Sequence, residues 1–105
     1  MFDKLKDLGG LMQQAQQMQE RMQRDLRDKT VEGQAGGGMV KVAVNGLYEV
    51  TKVSIDKRVI DPADPTMLED LVRAAVGQAL ARVEEVRMEN ARSMAGAMGL
   101  PGGMF

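Results

Sequence analysis

Cysteine and histidine are both absent from the 105-residue sequence. The chain therefore has no disulfides, no thiolate or imidazole nucleophile, and none of the Cys and His spacings that bind zinc. Aromatic residues are scarce as well, with two Phe, one Tyr and no Trp, whereas ten residues are Met. A core of this composition is aliphatic, and its flexible Met side chains can fill irregular space.

Long apolar segments and an excess of one charge are also missing. No apolar run approaches the ~18 residues of a membrane span, and the first residues lack the apolar segment of a secretory signal. Fourteen basic and fifteen acidic residues give a net charge of −1. We expect a soluble, cytoplasmic protein, and this charge balance alone gives no support to nucleic-acid binding.

Motifs for catalysis or for cofactor binding are not found. The triplet Gly36-Gly37-Gly38 is followed by neither the Lys-Ser/Thr pair nor the helix of a phosphate-binding loop, which favours a turn between strands. Neighbouring carboxylates such as Glu84 and Glu85 are better explained by solvation than by acid–base chemistry. The sequence thus predicts no enzyme, no cofactor, no metal and no small-molecule substrate.

The strongest strand signal lies in residues 40–55. Two β-branched runs meet at Asn45-Gly46, a pair suited to both central positions of a type I′ turn. Glu49 and Thr51 interrupt the apolar alternation, so either a bulge shifts the register or both sheet faces are partly covered. With an unbroken register, one face carries Val40, Val42, Val44, Leu47, Val53 and Ile55, and the other carries Met39, Lys41, Ala43, Tyr48, Val50, Lys52 and Ser54.

Residues 3–29 carry a helical pattern ahead of this hairpin. Apolar residues recur there at spacings of three and four. Gly9 and Gly10 each lower helix stability by ~1 kcal/mol relative to Ala, which predicts that the well-formed helix begins near Leu11. Residues 30–35 alternate weakly and predict a third strand beside the hairpin.

A second helix is predicted after the hairpin. Asp64 and Pro65 are typical of the N-cap and the first helical position, and no further proline follows until the helix ends near Ala97. Such a helix is ~50 Å long, so it must overhang a body whose expected radius of gyration is only ~13 Å. The surplus apolar surface predicts a dimer. Candidate dimer-interface residues are Val72, Val76, Gly77, Leu80 and Val83.

Several segments also carry a family resemblance through their order and spacing. They are residues 11–22 (LMQQAQQMQERM), 38–42 (GMVKV), 45–46 (NG), 53–56 (VSID), 67–72 (MLEDLV) with Ala74-Ala75, and 99–102 (GLPG). Together they resemble the YbaB/EbfC family of bacterial nucleoid-associated proteins over nearly the whole chain. The resemblance implies a tweezer-like homodimer in the cytoplasm and nucleoid. Such a protein binds double-stranded DNA with little sequence selectivity, alters its conformation, and influences gene expression and DNA protection.

The predicted fold is therefore α+β, with a helix, a three-stranded antiparallel sheet and a long helix. Residues 1–98 are expected to form a single domain and residues 99–105 a flexible C-terminal tail. Candidate DNA-binding residues are those whose positive charge could neutralise phosphates. They are Arg21, Arg24, Arg27, Lys41, Lys52, Arg82, Arg87 and Arg92.

A different reading of the same residues is kept open. The basic residues on the helices could be solvated faces, since acidic residues lie among them. The negative net charge and the ten Met residues favour an interaction adaptor that holds another protein on Met-rich helical surfaces. DNA binding would then be incidental.

Overall fold

The computed structural model describes residues 2–97, with side chains described from residue 7 onward. The predicted tail, residues 99–105, lies outside this range. One helix precedes and one helix follows three strands in the chain. The strands form one antiparallel sheet in the order β1-β2-β3, which confirms the predicted α+β architecture. The elements are α1 (Phe2–Asp28), β1 (Thr30–Ala35), β2 (Val40–Asn45), β3 (Val50–Ile55), a 3₁₀ turn (Lys57–Val59) and α2 (Pro65–Ala97).

The core lies between α2 and one face of the sheet. The alternation of β2 directs Val40, Val42 and Val44 toward α2, and each is at most 1% exposed. Burial of a valine side chain contributes roughly 1.5–3 kcal/mol, so these three residues are the centre of the core. From α2, Ala75, Ala79 and Val83 are completely buried against them.

Small residues let α2 approach the sheet unusually closely. Gly33 on β1 is buried beneath the helix backbone, and a Cβ atom at this position would overlap the carbonyl oxygen of Ala75 and the backbone nitrogen of Ala79. The two alanines that flank this contact add little bulk of their own. The distance between α2 and β1 is therefore set by the absence of a side chain at Gly33.

We expect Gly33→Ala to destabilise the fold by about 1–3 kcal/mol or more, because the added methyl group meets backbone atoms that cannot rotate away. Denaturant unfolding followed by circular dichroism measures this loss. Gly10→Ala is the matched control, since open space surrounds Gly10 on α1. An unchanged midpoint for Gly33→Ala would contradict the close approach of α2.

The hairpin differs from the predicted type I′ turn. Asn45 and Gly46 are not the two central residues of the connection, because β2 ends at Asn45 and β3 begins only at Val50. The Asn45 Oδ1 atom accepts hydrogen bonds from the backbone N–H groups of Leu47 (3.0 Å) and Glu49 (3.1 Å). Tyr48, with φ 62°, adopts the left-handed conformation in this turn.

Gly46 has a tertiary role instead. Its N–H donates to the carbonyl oxygens of Leu26 (2.8 Å) and Lys29 (3.0 Å), at the end of α1. A Cβ atom at Gly46 would lie 2.6 Å from the Leu26 carbonyl oxygen, which is too close for a real side chain. The glycine is therefore required where α1 joins the body. The predicted turn at Gly36–Gly38 is confirmed, and all three residues have positive φ angles.

A β-bulge is present, as the interrupted alternation allowed. The pairing of β2 with β3 shifts between Ala43 and Val44, so that Val44 lies opposite Val50. Val50 was expected on the outer face of the sheet, but this register places it on the same side as the core. Val53 lies opposite Val42 and Ile55 opposite Val40, on that same side.

The molecule is elongated, with a longest extent of 74 Å and a radius of gyration of 20.4 Å. α1 starts at Phe2 and not near Leu11, so the pair Gly9-Gly10 is accommodated inside the helix. Leu26, near its end, is buried, whereas every residue from 7 to 20 is exposed. α1 is therefore attached to the body at one end only. No helix within residues 2–97 has the length and apolarity needed to cross a membrane.

Candidate nucleic-acid interface

The free halves of the two helices lie side by side and form what we call the arm. Its groove, the arm groove, consists of two adjoining cavities of about 170 and 190 Å³. Both cavities are lined by Met22, Asn90 and Met94. Arg21 lines the first cavity and Arg87 the second, so cations from α1 and α2 converge on one arm.

The candidate arginines of α1 lie at the surface. Arg21, Arg24 and Arg27 are all exposed. Arg27 is paired with Glu49, with 3.5 Å between Nε and Oε1, but both side chains are more than half exposed, and such pairs contribute little stability. Among the described residues, Arg21 and Arg24 form no ion pair.

The candidate arginines of α2 have different environments. Arg82 donates from Nη1 to the carbonyl oxygen of Glu32, and Arg87 donates to that of Gly46 at 2.7 Å. Both acceptors are backbone carbonyl oxygens, so these contacts hold the two side chains in place without pairing them with a carboxylate. Arg92 is exposed farther along the arm.

Arg82 also belongs to a pair of side chains that cap the outer edge of the sheet. Arg82 donates to the carbonyl oxygen of Glu32. Beside this contact, the Gln78 Oε1 atom accepts a hydrogen bond from the backbone N–H of Gln34 at 2.7 Å. An unpaired strand edge is a template for pairing with another chain, and these contacts block it on β1. Within residues 7–97, the hydrogen-bonding groups on the outer edge of β3 have no such side-chain cap.

Tyr48 links the hairpin turn to α2. Its hydroxyl group donates to Glu84 Oε1 at 2.6 Å, and the guanidinium group of Arg87 lies 5.1 Å from the centre of its ring. The hydrogen bond to the Glu84 carboxylate raises the pKa of Tyr48, because the bond is lost when the phenol ionises. This cluster fixes where α2 leaves the body to become part of the arm.

Lys41 and Lys52 lie on the outer face of the sheet, away from α2. Lys41 pairs with Ser54 and Lys52 with Ala43, which makes the two lysines diagonal neighbours. They line a shallow depression of about 170 Å³ together with Glu32. The structure therefore does not bring the lysines together with the arginines of the arm.

Two further arginines are balanced by neighbouring carboxylates. Arg58 lies 2.8 Å from Asp56 and Arg73 lies 3.4 Å from Asp70. The hydrogen bonds from Arg58 hold the pKa of Asp56 at about 2. These pairs lower the local positive potential around Arg58 and Arg73, neither of which was a candidate DNA-binding residue.

The predicted dimer-interface residues fall into two groups. Val83 is completely buried in the core and has no surface to offer to a partner. Val72 and Val76 pack at the margin of the same core. Gly77 and Leu80 are exposed.

Sequence reasoning missed the contacts of Gln78, Tyr48 and Glu84. The spacing of Glu84 and Arg87 on one helix face was visible, but nothing in the sequence showed that Tyr48 would reach both. Metal binding gains no support either, since no group of three or more acidic side chains converges within the described part of the chain.

Comparison with known proteins agrees with this architecture. The sequence profile of the YbaB/EbfC DNA-binding family matches residues 4–98 of this chain. The chain therefore belongs to this family. A nucleoid-associated protein of Gluconacetobacter diazotrophicus is 44% identical over 103 residues, covering 95% of this chain and 96% of that protein. One from Syntrophobacter fumaroxidans is 46% identical over 94 residues, covering 87% and 86%.

A solved structure has a similar fold. The crystal structure of an uncharacterized protein of Helicobacter pylori superposes with a TM-score of 0.69 at 29% identity. The match covers 83% of this chain and 91% of that one. The helix–sheet–helix layout is thus shared with a solved protein across most of both chains.

Proposed function

We propose that this protein is a nucleoid-associated protein that binds double-stranded DNA with little sequence selectivity. The observation that carries the proposal is the family match over residues 4–98. Its relatives are named nucleoid-associated proteins and align along nearly their full length. We assign no catalytic step to the chain.

The arm supplies the chemistry that such binding needs. Affinity without sequence reading comes mainly from Lys and Arg side chains that displace counterions from phosphates. Arg21 and Arg24 are exposed and have no carboxylate partner among the described residues. The remaining candidates are Arg27, Lys41, Lys52, Arg82, Arg87 and Arg92.

A homodimer would place two such arms on one particle. Of the two sheet edges, β1 is capped by Gln78 and Arg82, whereas all six residues of β3 are exposed. On the core side of β3, Val50 and Val53 are 60% and 54% exposed, because α2 packs over β1 and β2 and leaves this strand at the margin. The neighbouring flank of α2 adds Leu80. A second copy can cover this surface by twofold symmetry.

Val53→Glu tests the homodimer. Because Val53 is exposed in the isolated chain, the substitution should leave the fold intact, while a charge buried at the interface should prevent association. Sedimentation should show twice 11.5 kDa for the parent chain and a folded monomer for the variant.

Ser54→Glu is the matched control, because it adds the same charge to the same strand on the opposite face. It should remain dimeric. A monomeric parent chain, or equal dissociation by the two variants, would contradict the proposed interface.

Replacement of Arg21 and Arg24 by Ala tests DNA binding. The double variant should weaken binding equally on unrelated duplexes, and the slope of log K against log salt should flatten by about 2 for each arm in contact, at ~1 per phosphate-contacting residue. Fluorescence anisotropy of labelled duplexes over a range of salt concentrations measures both effects.

The charge-conserving double variant Arg21→Lys/Arg24→Lys is the control. It should retain the parental slope, because phosphate neutralisation depends on charge and not on the fork geometry of arginine. Parental binding by the Ala variant would exclude these two residues from the interface.

An adaptor function remains the second candidate. The arm groove is mostly apolar and Met-lined, and Met12, Met18 and Met88 are exposed, as in surfaces that hold partner helices. This candidate takes precedence if the parent chain binds no DNA at any salt concentration.

A further inference from the structure

Two oppositely charged residues of α2 are helical neighbours and yet do not pair with each other. Glu84 and Arg87 are three positions apart, a spacing at which side chains on one helix lie close together and opposite charges attract. Both residues are exposed. Among the described residues, however, no ion pair joins them. Each of the two groups is held by a different partner instead.

The Glu84 carboxylate is engaged by Tyr48. The tyrosine hydroxyl group donates to Glu84 Oε1 at 2.6 Å, a length typical of a hydrogen bond from a hydroxyl group to an ionised carboxylate (~2.5–2.7 Å). Glu49, the next residue of the turn, is already occupied by Arg27 and by the Asn45 side-chain amide. The bond with Tyr48 thus directs the Glu84 carboxylate toward the hairpin turn.

Arg87 is held by two groups that carry no charge. Its Nη1 atom donates to the carbonyl oxygen of Gly46 at 2.7 Å, and its guanidinium group lies 5.1 Å from the centre of the Tyr48 ring, within the ~6 Å range of a cation–π contact. A guanidinium group has five N–H donors, so the bond to Gly46 leaves others for a phosphate. Arg87 is therefore oriented without a carboxylate partner.

The Tyr48 hydroxyl group and Arg87 are rivals for the same carboxylate. Without the hydroxyl group, Glu84 would lose its donor, and Arg87 is the cation at neighbouring helical spacing. An arginine that is paired with a carboxylate must break that pair before it can displace a counterion from a phosphate. The hydrogen bond of Tyr48 therefore affects how much of the Arg87 charge DNA can use.

We propose that the Tyr48 hydroxyl group withholds the Glu84 carboxylate from Arg87 and thereby keeps Arg87 available for a DNA phosphate. Tyr48 is then a positioning residue that does not itself contact DNA. The raised pKa of Tyr48 agrees with this geometry, since the hydrogen bond to Glu84 is its largest cause. The inference rests on the proposed DNA binding and adds to it a residue that controls the charge of the arm.

Tyr48→Phe tests the proposal, because it removes one oxygen atom and keeps the aromatic ring beside Arg87. Glu84 should then pair with Arg87. The slope of log K against log salt should flatten by roughly 0.5–1 for each arm in contact with DNA, since a phosphate-contacting residue counts ~1 and an exposed ion pair is weak. Fluorescence anisotropy of a labelled duplex measures the slope, and circular dichroism verifies that the variant is folded.

Removal of the Glu84 charge should reverse this effect. Tyr48→Phe/Glu84→Gln should regain the parental slope, whereas Glu84→Gln alone should leave the slope unchanged, because Tyr48 already holds the carboxylate. Glu85→Gln is the matched control, since Glu85 is an exposed carboxylate on the same helix and the Tyr48 hydroxyl group bonds to Glu84 instead. In the Tyr48→Phe background, Glu85→Gln should not restore the slope.

Two results of these binding experiments would overturn the proposal. One is a parental slope for Tyr48→Phe. The other is a flattened slope that Glu84→Gln does not restore, because Tyr48 would then act through a contact of its own with DNA.

A titration of Tyr48 gives a second measurement, which requires no DNA. Tyr48 is the only tyrosine and the chain has no tryptophan, so the ultraviolet absorbance of the phenolate follows this one group as the pH rises. The pKa of Tyr48 should lie above the ordinary value of a phenol, and Glu84→Gln should lower it, because the charged acceptor is lost. Equal pKa values in the parent chain and in Glu84→Gln would overturn the proposal. Absence of salt-dependent DNA binding by the parent chain, with the pKa difference present, would contradict the proposed function and not the contact between Tyr48 and Glu84.

Discussion

The contact between Gly33 and the backbone of α2 is the constraint on which the rest of the structure depends. Because no side chain separates them, α2 lies directly on β1, and Ala75 and Ala79 bring it down onto the valines of β2. This closeness also brings the Gln78 and Arg82 side chains within reach of the backbone of β1. One missing side chain thus determines both the core and the protection of one sheet edge.

The same contact determines what remains uncovered. A single helix seated on β1 and β2 cannot also shield β3, so apolar side chains of that strand stay exposed on the core side. α1 contributes little to the core, since its described residues meet the body near the C-terminal end of the helix, where Leu26 touches Gly46 and Arg27 pairs with Glu49. The long helices are then free to extend as an arm, which gives a small protein a reach of 74 Å. The exposed strand β3 and the arm are thereby separate surfaces of the molecule.

Local signals were sufficient for much of this fold. The bounds of α2 follow from the capping residue Asp64, whose Oδ1 atom accepts from Met67 N–H at 3.4 Å, and from the lack of proline before Ala97. The Gly triplet and the strand before it were also predictable from their composition. The start of α1 was not predictable in this way. The low helix propensity of Gly9 and Gly10 predicted a start near Leu11, whereas the helix begins at Phe2.

The remaining features of the fold depend on tertiary contacts, which local sequence signals do not show. Asn45-Gly46 indicated a tight turn, but Gly46 is needed because the end of α1 lies against it. Val83 carried the same apolar signal as Leu80, and only the orientation of α2 on the sheet shows that Val83 is buried and Leu80 exposed.

For the candidate site, the basic residues were identifiable by type. Two features required the assembled structure: the separation of Lys41 and Lys52 on the outer face of the sheet from the arginines of the arm, and the hydrogen bonds from Arg82 and Arg87 to carbonyl oxygens.

The central claim is that the cations of the arms bind DNA phosphates without reading the sequence. The salt dependence of binding by the parent chain, measured on two duplexes of unrelated sequence, tests it most directly. With ~4–6 phosphates neutralised, both duplexes should give similar slopes of roughly −4 to −5 in log K against log salt. Absence of salt-dependent binding, or strong binding to one duplex alone, would contradict the account.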